Sequence, residues 1–304
     1  MTKQTHKKRK LCFFVNPISG RGKGEKIFNK AQKILQENNI EAVPYISQKK
    51  GDIKKSIINM DLMDYDAICV IGGDGSIHEA VNGLISSGKA HYLPLGVISG
   101  GSGNAFSNDL EIDNLSDAIE RIIAFKISEI DVMRIMHKNK VNYSVNIIGW
   151  GMAAKINRIA EKLRFLGGIR YSIASLFCIM TLNTQPMKID LDGLSIDCDG
   201  LLFLALNTVH TGKGMIMAPN AKLNDGFIDI ILFRDASRWN ILKIFFQVFS
   251  GNHIFDEKVE YKQVKQFSIN TIDDALNIDG ENKGITPIDV NVLDKRLKIF
   301  ADLV

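Results

Sequence analysis

The chain has 304 residues, 45% of them hydrophobic, 24% charged and 8% aromatic; this excludes general disorder and fibrous repeats and allows about two domains of roughly 150 residues. No run of about 18 apolar residues could span a membrane, and the basic start Met1–Lys10 is not followed by the apolar h-region that a secretory signal requires before Asn16 interrupts the chain. The formal charge of +4 is too small to argue for nucleic acid, and the dispersed Cys12, Cys69, Cys178 and Cys198, without a C-x-x-C, suggest reduced thiols in a cytoplasmic protein.

Residues 1–10 read as a basic leader. Its Lys7–Lys10 block could touch anionic lipid head groups, although a solvated, frayed end is the simpler reading. Residues 11–125 then alternate strand and helix signals. Leu11–Val15 is a short apolar run ending in Asn16-Pro17-Ile18-Ser19-Gly20-Arg21-Gly22-Lys23-Gly24, and Ile27, Ala31, Ile34 and Leu35 follow at helical spacing. Ala42–Ile46 reads as a strand and Ile53–Met60 as a helix. Ala67–Ile71 is apolar throughout, as a strand buried on both faces should be, and enters Gly72-Gly73-Asp74-Gly75-Ser76 and a helix through Leu84. Leu95–Ile98 ends in Gly100-Gly101-Ser102-Gly103-Asn104. Strand, glycine-rich loop and helix recur, which predicts an open, mostly parallel α/β sheet with its loops at the strand C-terminal ends.

Residues 126–304 change character. Strands are expected at Ile127–Met136 and Val141–Ile148, helices at Gly151–Leu163 and Ile169–Leu182. Short β runs follow at Lys188–Leu191, Leu201–Leu206, Phe227–Phe233, Val259–Ile269, Leu276–Ile278 and Ile288–Phe300, interrupted by one amphipathic helix near Trp239–Phe249. That pattern predicts a second, β-rich sandwich domain.

Glycine at a strand-to-helix turn frees backbone N–H groups and lets phosphate approach. Three such clusters on one sheet point to a phosphate site, yet none fits G-x-x-x-x-G-K-[ST] or a dinucleotide G-x-G-x-x-G. Asp74, between Gly73 and Gly75 after a buried strand, could take a proton from an attacking hydroxyl or help hold Mg²⁺; a helix cap is the plain alternative, but Ser76 could serve that purpose equally well. His78-Glu79 lacks the second histidine of a zinc motif, since position 82 is Asn. Arg164 and Arg170 could clamp phosphates, while Asp225 and Asp279-Gly280 read as turn residues by default.

Together these residues resemble the diacylglycerol kinase catalytic-domain family, closest to its sphingosine and ceramide kinase branch, over roughly Leu11 to Phe300. The resemblance rests on Asn16-Pro17 with its glycine-rich turn, on Gly72 through Gly83, on Gly101 through Asn104, and on Trp150-Gly151-Met152 running through Glu161–Tyr171. Leu223–Gly226 and Asp279-Gly280-Glu281 complete it. It implies an α/β nucleotide domain, a β-rich lipid domain and catalysis in the cleft between them. It makes Asp74 the general base toward a primary lipid hydroxyl, and implies ATP and Mg²⁺. Asn16, Pro17, Ser19, Arg21, Gly72, Gly73, Gly75, Gly101, Ser102, Gly103, Asn104, Arg164, Arg170, Asp279, Gly280 and Glu281 would contact ATP, with Ser47 where relatives carry a nucleotide-binding Thr. Asp131 and Asp225 would organise a structural Mg²⁺.

Asn157 stands at the lipid-head position, where sphingosine kinases carry an Asp. With Lys155 nearby it disfavours a cationic amine and favours a neutral head such as diacylglycerol or ceramide. The expected partner is a lipid met peripherally at a membrane surface, with the Ile169–Leu182 and Ile241–Phe249 helices lining or capping an acyl-chain pocket; a homodimer is left open. A kinase of a soluble acceptor, as in the NAD kinases that share the Gly-Gly-Asp-Gly loop, and a non-catalytic nucleotide or lipid binder are the alternatives.

Overall fold

A computed structural model describes residues 8–100, 105–181, 183–212, 214–234 and 236–303, with backbone alone at 164 and 168. The chain forms two compact units. The first holds residues up to 101 together with 110–129 and 297–304, and the second holds 102–109 and 130–296.

In the first unit, strands β1 (Arg9–Val15), β2 (Ile40–Ile46), β3 (Ala67–Gly72) and β4 (Leu95–Ser99) lie parallel in the order β2-β1-β3-β4. Every residue of β3 is buried, as its unbroken apolar run requires. Helix α1 (Gly24–Glu37) buries Phe28, Ala31 and Leu35; Phe28 takes the inward place expected of Ile27. Helices α2 (Asp52–Asn59) and α4 (Leu115–Ala124) are amphipathic. Helix α3 (Asp74–Ser86) is buried at every position from Ser76 to Ile85, polar His78, Glu79 and Asn82 included. Cys12 and Cys69 are core residues, and burial pushes the Cys12 thiol up to about 12.

The first strand begins earlier than expected, at Arg9. The Arg9 guanidinium stacks 4.4 Å from the Phe125 ring centroid and its Nη1 donates to Ile123 O at 3.1 Å, while Lys10 Nζ lies 4.8 Å from the Tyr65 ring centroid. Arg9 and Lys10 are therefore structural residues and not a frayed end; Lys7 lies outside the described residues.

The second unit begins with β5 (Ile127–His137, its first three residues in the first unit), β6 (Lys140–Ser144) and β7 (Ile147–Gly151), then helices α5 (Met152–Lys162) and α6 (Arg170–Met180). There follow β8 (Gln185–Leu191), β9 (Leu194–Gly200), β10 (Leu202–Leu206), β11 (Ile228–Phe233) and α7 (Arg238–Gln247). Last come β12 (Val259–Val264), β13 (Gln266–Ile269), β14 (Ala275–Ile278), β15 (Glu281–Ile285) and β16 (Ile288–Phe300, its last four residues in the first unit). An antiparallel sheet of order β12-β11-β10-β7-β14-β15 packs on a second layer containing β16, β13, β8 and β9. Between them lie Trp150, Phe203, Phe267, Ile189 and Leu276. On the outer side of the six-stranded sheet, Leu202, Leu204 and Ile231 pack with Ile241 and Ile244 of α7. This is the sandwich expected from the β-type runs.

Two local expectations fail for one kind of reason, and one strand was not expected at all. Val141–Ile148 is broken between β6 and β7 because Asn146 N and Ile147 N turn onto Asp279 Oδ1 at 3.0 and 3.2 Å. Val259–Ile269 is broken at Lys265, where Lys265 N and Gln266 N donate to Asp192 Oδ1 at 3.1 and 3.0 Å, and its halves enter different sheets. Strand β9, with Asp197 and Asp199 on its exposed side, carries too weak an apolar signal to be expected from the sequence.

Candidate active site

In the first unit the glycine-rich turns after β1 and β3, and Gly100 after β4, stand at the C-terminal ends of adjoining strands of one parallel sheet, and they meet. Asn16 N donates to Ile71 O at 2.9 Å, Gly100 N to Gly72 O at 2.8 Å, and Asn16 Nδ2 to Ser76 Oγ at 3.1 Å. Asn16 Oδ1 accepts from Ile18 N at 3.2 Å, fixing the turn that carries half-buried Pro17. Gly20 and the exposed Arg21 both lie at φ 61°, a left-handed turn that costs Arg and nothing for Gly. A Cβ at Gly100 would stand 2.5 Å from Ser19 Oγ, and one at Gly72 would stand 2.4 Å from Ser76 Oγ, so side chains are excluded where the loops converge. Ser19 is buried, and its Oγ has no hydrogen-bond partner among the described residues. An orphan hydroxyl beside close-set glycine backbones fits a phosphate group.

Gly73 is the extended residue that opens α3, and Asp74 is the first residue of that helix, with Gly75 next. A carboxylate here sits at the positive end of the helix dipole and at the strand terminus where the loops meet. Ser47 is buried just past β2, its N–H donating to Val15 O at 2.9 Å. Glu79, set aside in the sequence with His78, accepts from Gly51 N at 2.7 Å and ties α3 to the loop before α2. Gly101, Ser102, Gly103 and Asn104 lie outside the described residues, as does the Arg164 side chain.

In the second unit, Asp279 (φ 49°) and Gly280 (φ 79°) form the tight turn between β14 and β15. Asp279 is buried, and its Oδ1 accepts from Ser144 Oγ at 2.6 Å as well as from the two amides of residues 146 and 147. Glu281 follows, 3.6 Å from Lys283 Nζ. Asn157, 1% exposed on α5, donates from Nδ2 to Gly280 O at 3.0 Å, and its Oδ1 has no partner among the described residues. Arg170 is buried at the start of α6, with Nη2 3.2 Å from Tyr171 Oη and 3.8 Å from Glu161 Oε1.

The two residues expected to serve a metal also meet. Asp131 is wholly buried, its Oδ2 accepting Gly226 N and its Oδ1 accepting Lys295 N, each at 2.7 Å; Asp225 Oδ1 accepts Phe227 N at 3.0 Å in the same turn. Burial, with Asp294 nearby, pushes the Asp131 carboxyl up, against the pull of the two amides. Among the described residues no three carboxylate, imidazole or thiolate groups gather as metal ligands, so a Mg²⁺ held by this pair would keep water in most of its positions. The amide bonds of Asp131 fasten the turn 223–227 to the sheet.

A further pair has no signal in the sequence. Asp109 closes the short helix Ala105–Asp109, accepting Val209 N at 2.8 Å, His210 N at 3.2 Å and approaching His210 Nδ1 at 3.3 Å. Burial raises its carboxyl, although His210 opposes the shift. No motif spans the intervening residues.

Residues 10–135 match a diacylglycerol kinase catalytic domain, and residues 146–301 match a YegS C-terminal NAD kinase beta sandwich-like domain. Sphingosine kinase 1 of Arabidopsis thaliana is 27% identical over 96% of this chain and 70% of its own length. A diacylglycerol kinase of Bacillus subtilis is 27% identical over 90% and 89%. A diacylglycerol kinase structure from Bacillus anthracis superposes with TM-score 0.73 at 21% identity, covering 98% of both chains. An Archaeoglobus fulgidus NAD kinase in complex with ATP superposes with TM-score 0.50 at 11% identity, covering 96% of this chain and 93% of that one. The last two are likenesses of fold.

Proposed function

The chain belongs to the diacylglycerol kinase catalytic-domain family, and from that premise we propose that it transfers the γ-phosphoryl group of ATP to the primary hydroxyl of a membrane lipid. The observation that carries this reading is the convergence of the loops after β1, β3 and β4, with Asp74 opening the helix behind them. Backbone N–H groups of these loops, together with the orphan Ser19 hydroxyl, would hold phosphate oxygens, while the Gly100 N–H, bonded to Gly72 O, ties two of the loops together. Asp74 would take the hydroxyl proton as the lipid oxygen forms its bond to phosphorus and ADP departs. Magnesium, arriving with ATP, supplies neutralisation of phosphate charge; the protein contributes position and the proton acceptor.

Two features of the second unit support a lipid acceptor with a neutral head. Helix α6 exposes Ile173, Phe177 and Met180, the last at 68%, an apolar surface suited to hydrocarbon. Asn157 offers an oxygen acceptor without negative charge, and exposed Lys155 on the same helix repels an ammonium group.

The test is transfer of radiolabelled γ-phosphate from ATP and Mg²⁺ to diacylglycerol, ceramide and sphingosine in mixed micelles. Labelling of diacylglycerol or ceramide ahead of sphingosine is expected. Sphingosine labelled best would overturn the head-group argument, and no labelled lipid would redirect the search to soluble acceptors.

A further inference from the structure

Helix α7 has two unlike sides. One packs Ile241 and Ile244 on the six-stranded sheet. The other carries Trp239 at 79% exposure and Phe246 at 63%, with Lys243 between them at i+4, so the three share one stripe. The short turn Asn252–Phe255 adds Phe255 at 83%. Large aromatics this exposed, gathered on one element and its neighbour, are not the scattered apolar residues of an ordinary surface.

Their surroundings name the partner. Lys243 Nζ holds Asp256 Oδ2 at 2.9 Å, Lys258 Nζ lies 4.0 Å from Glu257 Oε1, and Arg238 adds a further positive charge. An open groove of about 610 Å³ lies alongside, lined by Asn240, Gln247 and Phe255 and by the paired charges Lys243, Asp256, Glu257 and Lys258, so Arg238 supplies the excess positive charge of this face. Aromatic rings with amides and long-stemmed cations between them match a bilayer interface. There rings sit among head groups, ammonium groups reach lipid phosphates, and amides find polar partners.

We propose that the stripe of Trp239, Phe246 and Phe255 is the face by which this protein seats on a bilayer containing anionic lipid. The inference rests on the lipid-kinase reading, since an enzyme whose acceptor stays in a membrane must meet that membrane. It goes further in naming a surface outside the phosphate loops and outside α6.

The chain itself carries the probe. Of its two tryptophans, Trp150 is fully buried with Nε1 on Asp274 Oδ2 at 2.9 Å, so an emission change on membrane binding reports Trp239. Full-length protein mixed with phosphatidylcholine–phosphatidylglycerol vesicles should shift its emission to the blue and co-float. The Trp239→Ala/Phe255→Ala variant should partition about tenfold more weakly, Arg238→Glu should weaken binding most at low salt, and both should keep wild-type turnover on a short-chain monomeric lipid. No spectral shift, or co-flotation unchanged by the double substitution, would sink the proposal. So would a vesicle-independent dimer lost in that variant, which would make a second copy the occupant. Lipid labelled in micelles without vesicle binding through this face would leave the kinase reading standing and remove this inference. Vesicle binding through it with no lipid phosphorylated would do the reverse.

Discussion

Asn157 Nδ2 donates to the carbonyl of Gly280 at 3.0 Å, joining helix α5 to the turn that ends β14. Because a carbonyl can only accept, that bond fixes which end of the amide is nitrogen and leaves Oδ1 as the acceptor. Asn157→Asp would set a carboxylate oxygen against the Gly280 carbonyl and lose the bond. We expect a stability loss of about 1–3 kcal/mol, read as a lower Tm, and a rise in sphingosine labelling relative to diacylglycerol. Unchanged head-group preference would remove Asn157 from lipid recognition.

Asp74→Asn keeps the side-chain shape at the first turn of α3 and removes only the charge and the proton acceptor. Loss of a carboxylate at a helix N-terminus costs about 0.3–1 kcal/mol, so the variant should fold. Turnover should fall about 10³-fold with the KM for ATP little changed. A variant with near-wild-type kcat would strip Asp74 of its role as base.

The glycine-rich loops were legible in the sequence because each is local: a buried apolar run, a cluster of glycines, then helical spacing. Asp74 stood out for the same reason, placed between two glycines directly after a buried strand. What stayed hidden are carboxylates that reach across the fold. Asp279 takes Ser144 from 135 positions away and Asp109 takes Val209 from 100 away. Neither bond has a periodicity or a motif; Asp279 falls at a turn that a local reading assigns to the turn alone, and Asp109 at the end of a short helix. The broken strands at 145–146 and 265 were missed for that reason, since β-type composition continues through both while a distant Asp captures the amides.

Gly100→Ala tests the convergence of the loops directly. The new methyl would stand 2.5 Å from Ser19 Oγ, closer than nonbonded atoms allow, and in tight contact with Ser19 Cβ at 3.3 Å. Either Ser19 moves or the Gly100 N–H leaves Gly72 O, and both disturb the atoms assigned to phosphate. The KM for ATP should rise about tenfold. Ser19→Ala removes the nearer of the two clashing atoms, so the double variant should recover part of that loss. Strictly additive effects in the cycle would mean that the two loops do not act on one phosphate site.

Asp229 should make stability depend on pH in the direction opposite to an ion-paired carboxylate. It is wholly buried on β11, accepting from Tyr261 Oη and from Gln263 Nε2 at 3.2 Å, and burial pushes its carboxyl up to about 6. The native state therefore holds this proton more tightly than the unfolded chain, whose carboxyl titrates near its ordinary value. The contribution is complete below about pH 4 and is lost as pH rises through about 6, amounting to about 2–3 kcal/mol. Asp109 and Asp131, also raised by burial, slope the same way, so wild type alone cannot assign the effect. In Asp229→Asn the Oδ1 acceptor survives while titration is abolished; the buried amide donor adds an offset that does not vary with pH. The readout is thus the difference in Tm between pH 5 and pH 8, which should shrink in the variant. An identical pH slope in both proteins would show that Asp229 keeps an ordinary carboxylate pKa despite its burial.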